Sequence, residues 1–347
     1  MKTEVWNINL HAPIGGQLEE AARLLAENEL IAFPTETVYG LGANAKQDEA
    51  VRKIFEAKGR PSDNPLIVHV SNQMQLEQFI EDIPEVARKL MDAFWPGPLT
   101  FVLKRKKGTL SSVATAGLDT VAVRMPNHPV ALALIEASGL PIAAPSANLS
   151  GKPSPTSAKH VADDLTGRIA GIVDGGVTGI GVESTVLDCT ENIPVILRPG
   201  GITREELEEV AGKVREDAAL HHENAEPKSP GMKYTHYSPE APFVLVEGTP
   251  GFLQSLVDEE RQAGKKVGVM ATTETSGAYD ADVVLACGQR SDLATVAANL
   301  YDALRQFDER SVDIIFGEVF PRNGLGDAVM NRLMKAAGQQ VIKEREK

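Results

Sequence analysis

Lys58 and Arg60 close the run "DEAVRKIFEAKGR", in which Val51, Ile54, Phe55 and Lys58 fall at i, i+3, i+4 and i+7. That spacing places the lysine on the apolar face of a helix, where an ammonium calls for an anionic partner. The competing reading is a lysine that reaches back to solvent or balances the dipole at the helix C-terminus; Arg60 beside it favours an anion site. Two more guanidinium groups end strands. Arg124 in "TVAVRMP" points with Thr120 and Ala122 away from Val121, Val123 and Met125, and Arg198 closes "PVILRPGG". Arginine suits bidentate contact with carboxylate or phosphate, a structural salt bridge being the alternative for each. Hydroxyl groups at Thr35, Thr37, Ser146, Ser184 and Thr185 complete the set. There is no GxxxxGK[ST] loop, no GxGxxG opening a helix, no HExxH, no Gly-x-Ser-x-Gly elbow and no cysteine nucleophile. Residue chemistry alone therefore reaches a cleft that binds a nucleotide and a small carboxylate.

Such groups need strands and helices to hold them. Apolar spacing predicts helices over 17–30, 84–94, 128–138 and 157–165, and one over "DEAVRKIFEAK" stopped by Gly59 and Pro61. Strands read at "IAF", "PLIVHV", "LTFVLK", "TVAVRMP", "PIAAP", "GIVDGG", "STVLDCT" and "PVILRPGG". The endings "FPTET", "RMP", "APSAN", "VDGG" and "LRPGG" each set Pro or Gly beside a polar residue. One such ending would be a turn; five together point to a shared site at strand ends. After residue 240 the strands "PFVLVEG", "KVGVMAT", "DVVLACG" and "VDIIFGE" alternate with helices at 250–263, 291–307 and 325–338. The expected fold is α/β: a mixed twisted sheet with helices over 1–212, a linker over 213–239, and a small doubly wound, Rossmann-like parallel sheet over 240–347.

Composition narrows the function. The net charge of −13 argues against a protein that coats nucleic acid through bulk electrostatics, though not against a local cationic cleft. The "KRKK" run at 104–107 reads as the surface end of a strand, with phosphate contact as the minority role. Cys189 and Cys287 form neither a metal spacing nor a disulfide framework. No apolar run reaches membrane-spanning length, and "MKTEVWNINLHAP" lacks the pattern of a signal peptide. A cytoplasmic location is the expectation.

"KGR" at 58–60 with "SAN" at 146–148 is similar to the paired signature of YrdC-like domains. "FPTETVYGLG", "NPLIVHV", "WPGPLT", "VAVRMP", "ESTV" and "LRPGG" follow the same pattern across about residues 15–212. With "SPGMKYTHYSP" and the alternating tail, the chain resembles the long, two-domain threonylcarbamoyl-AMP synthases. The resemblance implies a nucleotidyltransferase that turns L-threonine, bicarbonate and ATP into L-threonylcarbamoyladenylate, diphosphate and water. It implies Mg²⁺ held mainly through the ATP phosphates, with no protein metal site. A separate tRNA threonylcarbamoyl-transfer machinery then modifies the adenosine next to the anticodon, a weak direct tRNA contact being left open. By resemblance Lys58 and Arg60 are the catalytic pair. The ATP side comprises Lys58, Arg60, Ser62, Thr120, Ser146, Asn148, Ser154, Arg198 and Tyr237. The threonine side comprises Thr35, His69, Arg124, Ala144 and Ser184.

Two other functions compete. An RNA-binding regulatory module of the same domain type is disfavoured by acidic composition and scarce stacking aromatics. A carbamoyl-transferring hydrogenase-maturation protein would carry zinc-finger segments, which two cysteines cannot supply. The stretch "PGMKYTHYSP" at 230–239 concentrates tyrosines in an otherwise polar linker. It reads as a lid closing on ATP, with Tyr237 as the contact, Lys233 and His236 as weaker candidates, and Pro230, Gly231 and Pro239 as hinge punctuation. The alternative is that these aromatics only fasten the linker to one domain.

Overall fold

The computed structural model describes residues 2–62, 64–218 and 237–345. Their contacts divide into two compact units. The first holds 2–150, 154–179 and 183–218; the second holds 151–153, 180–182 and 237–345.

The first unit begins with strands β1 (Glu4–Asn7), β2 (Ile31–Phe33), β3 (Gly40–Asn44), β4 (Ile67–His69), β5 (Leu99–Lys104) and β6 (Thr120–Arg124). It continues with β7 (Ile142–Ala143), β8 (Gly171–Asp174), β9 (Thr185–Asp188), β10 (Val195–Arg198) and β11 (Arg215–Glu216). Together they form one mixed sheet in the order β1-β8-β2-β3-β7-β4-β6-β5-β9-β10-β11. Its helices are α1 (Glu19–Ala26), α2 (Asp48–Lys58), α3 (Gln73–Glu77), α4 (Glu85–Phe94), α5 (Pro129–Ser138), α6 (Ala158–Leu165) and α7 (Arg204–Ala211).

Side-chain alternation assigns the two faces of that sheet. Ala32, Val68, Val70, Val121, Val123, Ala143 and Ile172 pack with apolar residues of α2, α4, α6 and α7. Ile31, Phe33, Ile142, Ala144 and Val173 point the other way, under α1 and α5. Gly59, at φ 63°, closes α2 in the left-handed conformation that favours glycine. α5 opens with His128 as its cap and Pro129 in its first turn, and Gly139 closes it at φ 65°. Lys104 ends β5 and is exposed, as a surface strand end should be, whereas Arg105 is buried with Nε donating to Leu118 O at 2.7 Å.

The second unit has strands β12 (Phe243–Glu247), β13 (Val267–Ala271), β14 (Val283–Ala286), β15 (Ile314–Glu318) and β16 (Val341–Lys343). All pair in parallel, in the order β14-β13-β15-β12-β16. Helices α8 (Pro250–Gln262), α9 (Leu293–Glu309) and α10 (Leu325–Ala336) are those the spacing predicts. Leu253 and Val257 of α8 pack on Val267, Val269 and Ala271, while Gly268, on the opposite face, lies under Phe307 of α9. Regular strand–helix alternation fails once. β13 reaches β14 through a single 3₁₀ turn, Ser276–Ala278, because "TTETSGAYDAD" has no apolar period to build a helix. Among the described residues, no helix is long and apolar enough to cross a membrane.

Candidate active site

One part of the first sheet carries an apolar cluster to which no helical residue belongs. Ile67, Val102, Ala122, Val186 and Leu197, from five different strands, form a small floor with Val195 beside them. Alternation then fixes what stands two residues along the same strands: His69 after Ile67, Thr120 and Arg124 around Ala122, Thr100 before Val102, Ser184 before Val186. Polar groups from separate strands thus border one apolar patch.

His69 and Arg124 are register partners on the parallel strands β4 and β6. Burial, and then the neighbouring Arg124 charge, push the His69 pKa down to about 3, so its imidazole is neutral. The ring lies edge-on to Phe33, and Nδ1 makes no hydrogen bond within the described residues. Arg124 Nη1 donates to Thr37 Oγ1 at 2.9 Å and Nε to Gly97 O at 3.2 Å. Thr35 shapes the turn that brings Thr37 there: its hydroxyl donates to Val38 O at 2.7 Å and accepts from the Thr37 and Val38 amides. Between these threonines stands Glu36, whose Oε1 lies 2.7 Å from Arg124 Nη2. Ser184 Oγ shares a 2.7 Å hydrogen bond with Thr100 Oγ1. Arg198 donates to the Ser184 carbonyl from Nε at 3.2 Å and Nη2 at 3.0 Å, and to Ser184 Oγ from Nη2 at 3.3 Å. A bulge between Ile196 and Arg198 puts Leu197 in the floor and still turns Arg198 onto Ser184.

Three of the nucleotide-side candidates, Lys58, Ser146 and Asn148, meet where β7 ends. β7 runs beside β4, with the Ala144 amide donating to Ile67 O at 2.9 Å. The chain leaving it is the "SAN" segment. Lys58, only 3% exposed, donates from Nζ to Ser146 O and Asn148 O, both at 2.6 Å. Two carbonyls thus meet the ammonium where the sequence suggested an anion, so the lysine also clamps the loop. Ser146 Oγ donates to Asn148 Oδ1, and Ser154 Oγ to Glu183 Oε1 at 2.6 Å. Arg60 follows the helix end, its amide donating to Phe55 O at 2.9 Å; Ser62 is exposed and Thr120 half-buried.

Tyr237 belongs to the second unit, buried against Tyr301 with ring centroids 5.2 Å apart, and the Arg332 guanidinium sits 5.9 Å from its ring centre. Lys233, His236, Pro230 and Gly231 lie outside the described residues. Sequence reasoning did not single out Glu36, Thr100 or Glu183. Glu36 stands inside "FPTET", one of the five strand endings, and Glu183 inside "ESTV", one of the blocks that carry the resemblance, and that placement was their signal.

A family profile for Sua5, YciO and YrdC proteins, described as telomere recombination, matches residues 23–200. A second, for the C-terminal domain of threonylcarbamoyl-AMP synthase, matches 202–338. A Bacillus subtilis threonylcarbamoyl-AMP synthase is 61% identical over 346 residues, covering 99% of this chain and 100% of that one. The chain belongs to the threonylcarbamoyl-AMP synthase family. Members of that family are enzymes. The structure of Pyrococcus abyssi Sua5 complexed with L-threonine is similar at TM-score 0.93 and 50% identity, over 99% of this chain and 100% of that one. Escherichia coli YciO, at TM-score 0.52 and 26% identity, covers 57% of this chain and 96% of its own.

Proposed function

We propose that this chain is an L-threonylcarbamoyladenylate synthase, condensing L-threonine, bicarbonate and ATP with release of diphosphate and water, for modification of adenosine next to the anticodon in tRNA. The reaction is a nucleotidyl transfer in the cytoplasm, and its product goes to tRNA threonylcarbamoyl-transfer proteins. The observation that carries this reading is the convergence of Arg124, neutral His69, Ser184 and Arg198 on one helix-free apolar floor, beside the loop clamped by Lys58. The family membership of the chain supports it.

Arg124 receives the threonine carboxylate, for which a buried guanidinium is suited. His69 offers Nδ1 to a threonine hydrogen, and the Thr35 and Ser184 hydroxyls with the Ala144 backbone border the same subsite. Lys58 and Arg60 neutralise phosphate charge as the carbamate oxygen attacks the α-phosphorus and diphosphate leaves; Ser62, Thr120, Ser146, Asn148, Ser154 and Arg198 position the nucleotide. Among the described residues no group of three His, Cys, Asp or Glu could hold a metal ion. The cations and hydroxyls present fit a Mg²⁺ carried by the nucleotide, which adds charge neutralisation when bound. Tyr237 is the proposed ATP contact from the linker. Diphosphate release measured across the amino acids, with and without bicarbonate, tests the function: release should need threonine and bicarbonate together. Equal release without bicarbonate would overturn it.

A further inference from the structure

The Glu36–Arg124 pair is only half made. The side chains are 12% and 4% exposed, so both charges are largely withdrawn from water. Yet within the described residues neither Glu36 oxygen, nor Arg124 Nη2, makes a hydrogen bond; the 2.7 Å approach lies off the N–H direction. A buried ion pair is stabilising only when its remaining donors and acceptors are also satisfied. The other Arg124 nitrogens are anchored on Thr37 and Gly97, and the Glu36 backbone is fixed in the Thr35 turn. What stays open is one guanidinium nitrogen facing one carboxylate. The groups that would satisfy both are a carboxylate for Arg124 and a hydrogen-bond-donating cation for Glu36. An α-amino-acid zwitterion carries the two, one carbon apart.

We propose that Glu36 reads the α-ammonium of the amino-acid substrate: the zwitterion enters between Glu36 and Arg124, its carboxylate taking the guanidinium and its ammonium taking the carboxylate. This rests on the assignment of Arg124 to the threonine carboxylate. Exchange of one internal pair for two substrate contacts leaves the net charge of the buried site unchanged, so no uncompensated charge is created on binding. It also gives the subsite a selectivity that Arg124 alone lacks. A bare guanidinium accepts any carboxylate or phosphate; beside Glu36 it rejects anions that bring no cation with them.

Calorimetric titrations with L-threonine and with 2,3-dihydroxybutanoate, the same molecule with a hydroxyl in place of the amine, test the proposal. In Glu36→Gln, threonine affinity should fall at least tenfold while dihydroxybutanoate binding stays equal or tightens; Glu36→Asp, which keeps the charge, should recover part of the threonine affinity. In Arg124→Ala, both ligands should lose affinity. If Arg124→Ala loses threonine but Glu36→Gln binds it as well as or better than the parent, Glu36 is only a placeholder and the proposal is overturned. If folded Arg124→Ala binds threonine unchanged, the assignment of the carboxylate subsite itself fails. Circular dichroism on each variant establishes that the fold is kept, and Glu36→Asp serves if Glu36→Gln does not fold.

Discussion

His69 faces Arg124 across two parallel strands, and the guanidinium adds to burial in keeping the imidazole neutral. A histidine so placed cannot serve as a proton donor near neutral pH. Its folded pKa, about 3, lies below the ordinary value of 6.5. The unfolded chain therefore binds the extra proton first, and stability is full above pH 6.5 and lost as pH falls towards 3. Between pH 7 and 5 the urea-derived stability of the parent should drop by about 2 kcal/mol more than that of His69→Gln. An equal drop in both would show that His69 titrates normally.

Removing Arg124 strands Glu36 as a buried carboxylate. Arg124→Ala should lose about 3–5 kcal/mol of stability, the usual cost of breaking a buried pair from one side. Adding Glu36→Gln to that variant should return part of the loss. Threonine affinity should fall by about 2–5 kcal/mol in the single variant, read by calorimetry.

Lys58 holds two carbonyls, and the proposed function also gives it the phosphate charge to neutralise. Lys58→Met and Arg60→Ala should each abolish most diphosphate release while leaving threonine affinity in place. Lys58→Met should in addition speed amide exchange across 146–150, where the lysine now holds Ser146 O and Asn148 O and its own carbonyl accepts the Ser150 amide. Unchanged exchange there would mean that the clamp is incidental.

Tyr237→Ala removes a ring buried between Tyr301 and Arg332. Thermal unfolding should therefore move to lower temperature, by the equivalent of about 3–5 kcal/mol for a large buried aromatic. ATP titration of the same variant tests the proposed contact, and unaltered affinity would remove Tyr237 from the nucleotide side.

Gly42 has no room for a side chain: an added Cβ would lie 2.8 Å from Phe33 and 2.9 Å from Ile142. Gly42→Ala should cost about 1–3 kcal/mol by overpacking, seen as a lower urea midpoint. The same residue explains why β3 escapes a sequence reading. "GLGAN" has neither β-branched residues nor alternation, and its place in the sheet is set by the close approach of its neighbours. β1, β11 and β16 were missed too; β11 has two residues and β16 three, too short to show a period.

What was legible in the site followed periodicity. Lys58 on the buried side of α2, and Arg124 opposite Val121 and Val123, could be placed because helix and strand periods fix which way a side chain points. Glu36 lies in a threonine-bound turn where no period operates, and a glutamate there reads as solvated until its contact with Arg124 is seen. The carbonyl partners of Lys58 come from a loop 88 and 90 residues away, a pairing that local spacing cannot encode.

The bulge in β10 carries its information in chain length rather than in any side chain. Two residues there oppose the space of one, so Leu197 and Arg198 can both serve the cleft. Deleting Leu197 would restore a regular ladder and leave every charged group of the site in the protein. Arg198 would then follow Ile196, which packs on the helix-covered side, and would still face the cleft opposite Val186, while the floor would lose Leu197. The extra residue thus serves the floor and not the arginine: conservative replacements at 197 alter the depth of the floor, whereas shortening by one residue takes Leu197 out of it and leaves Arg198 facing the cleft.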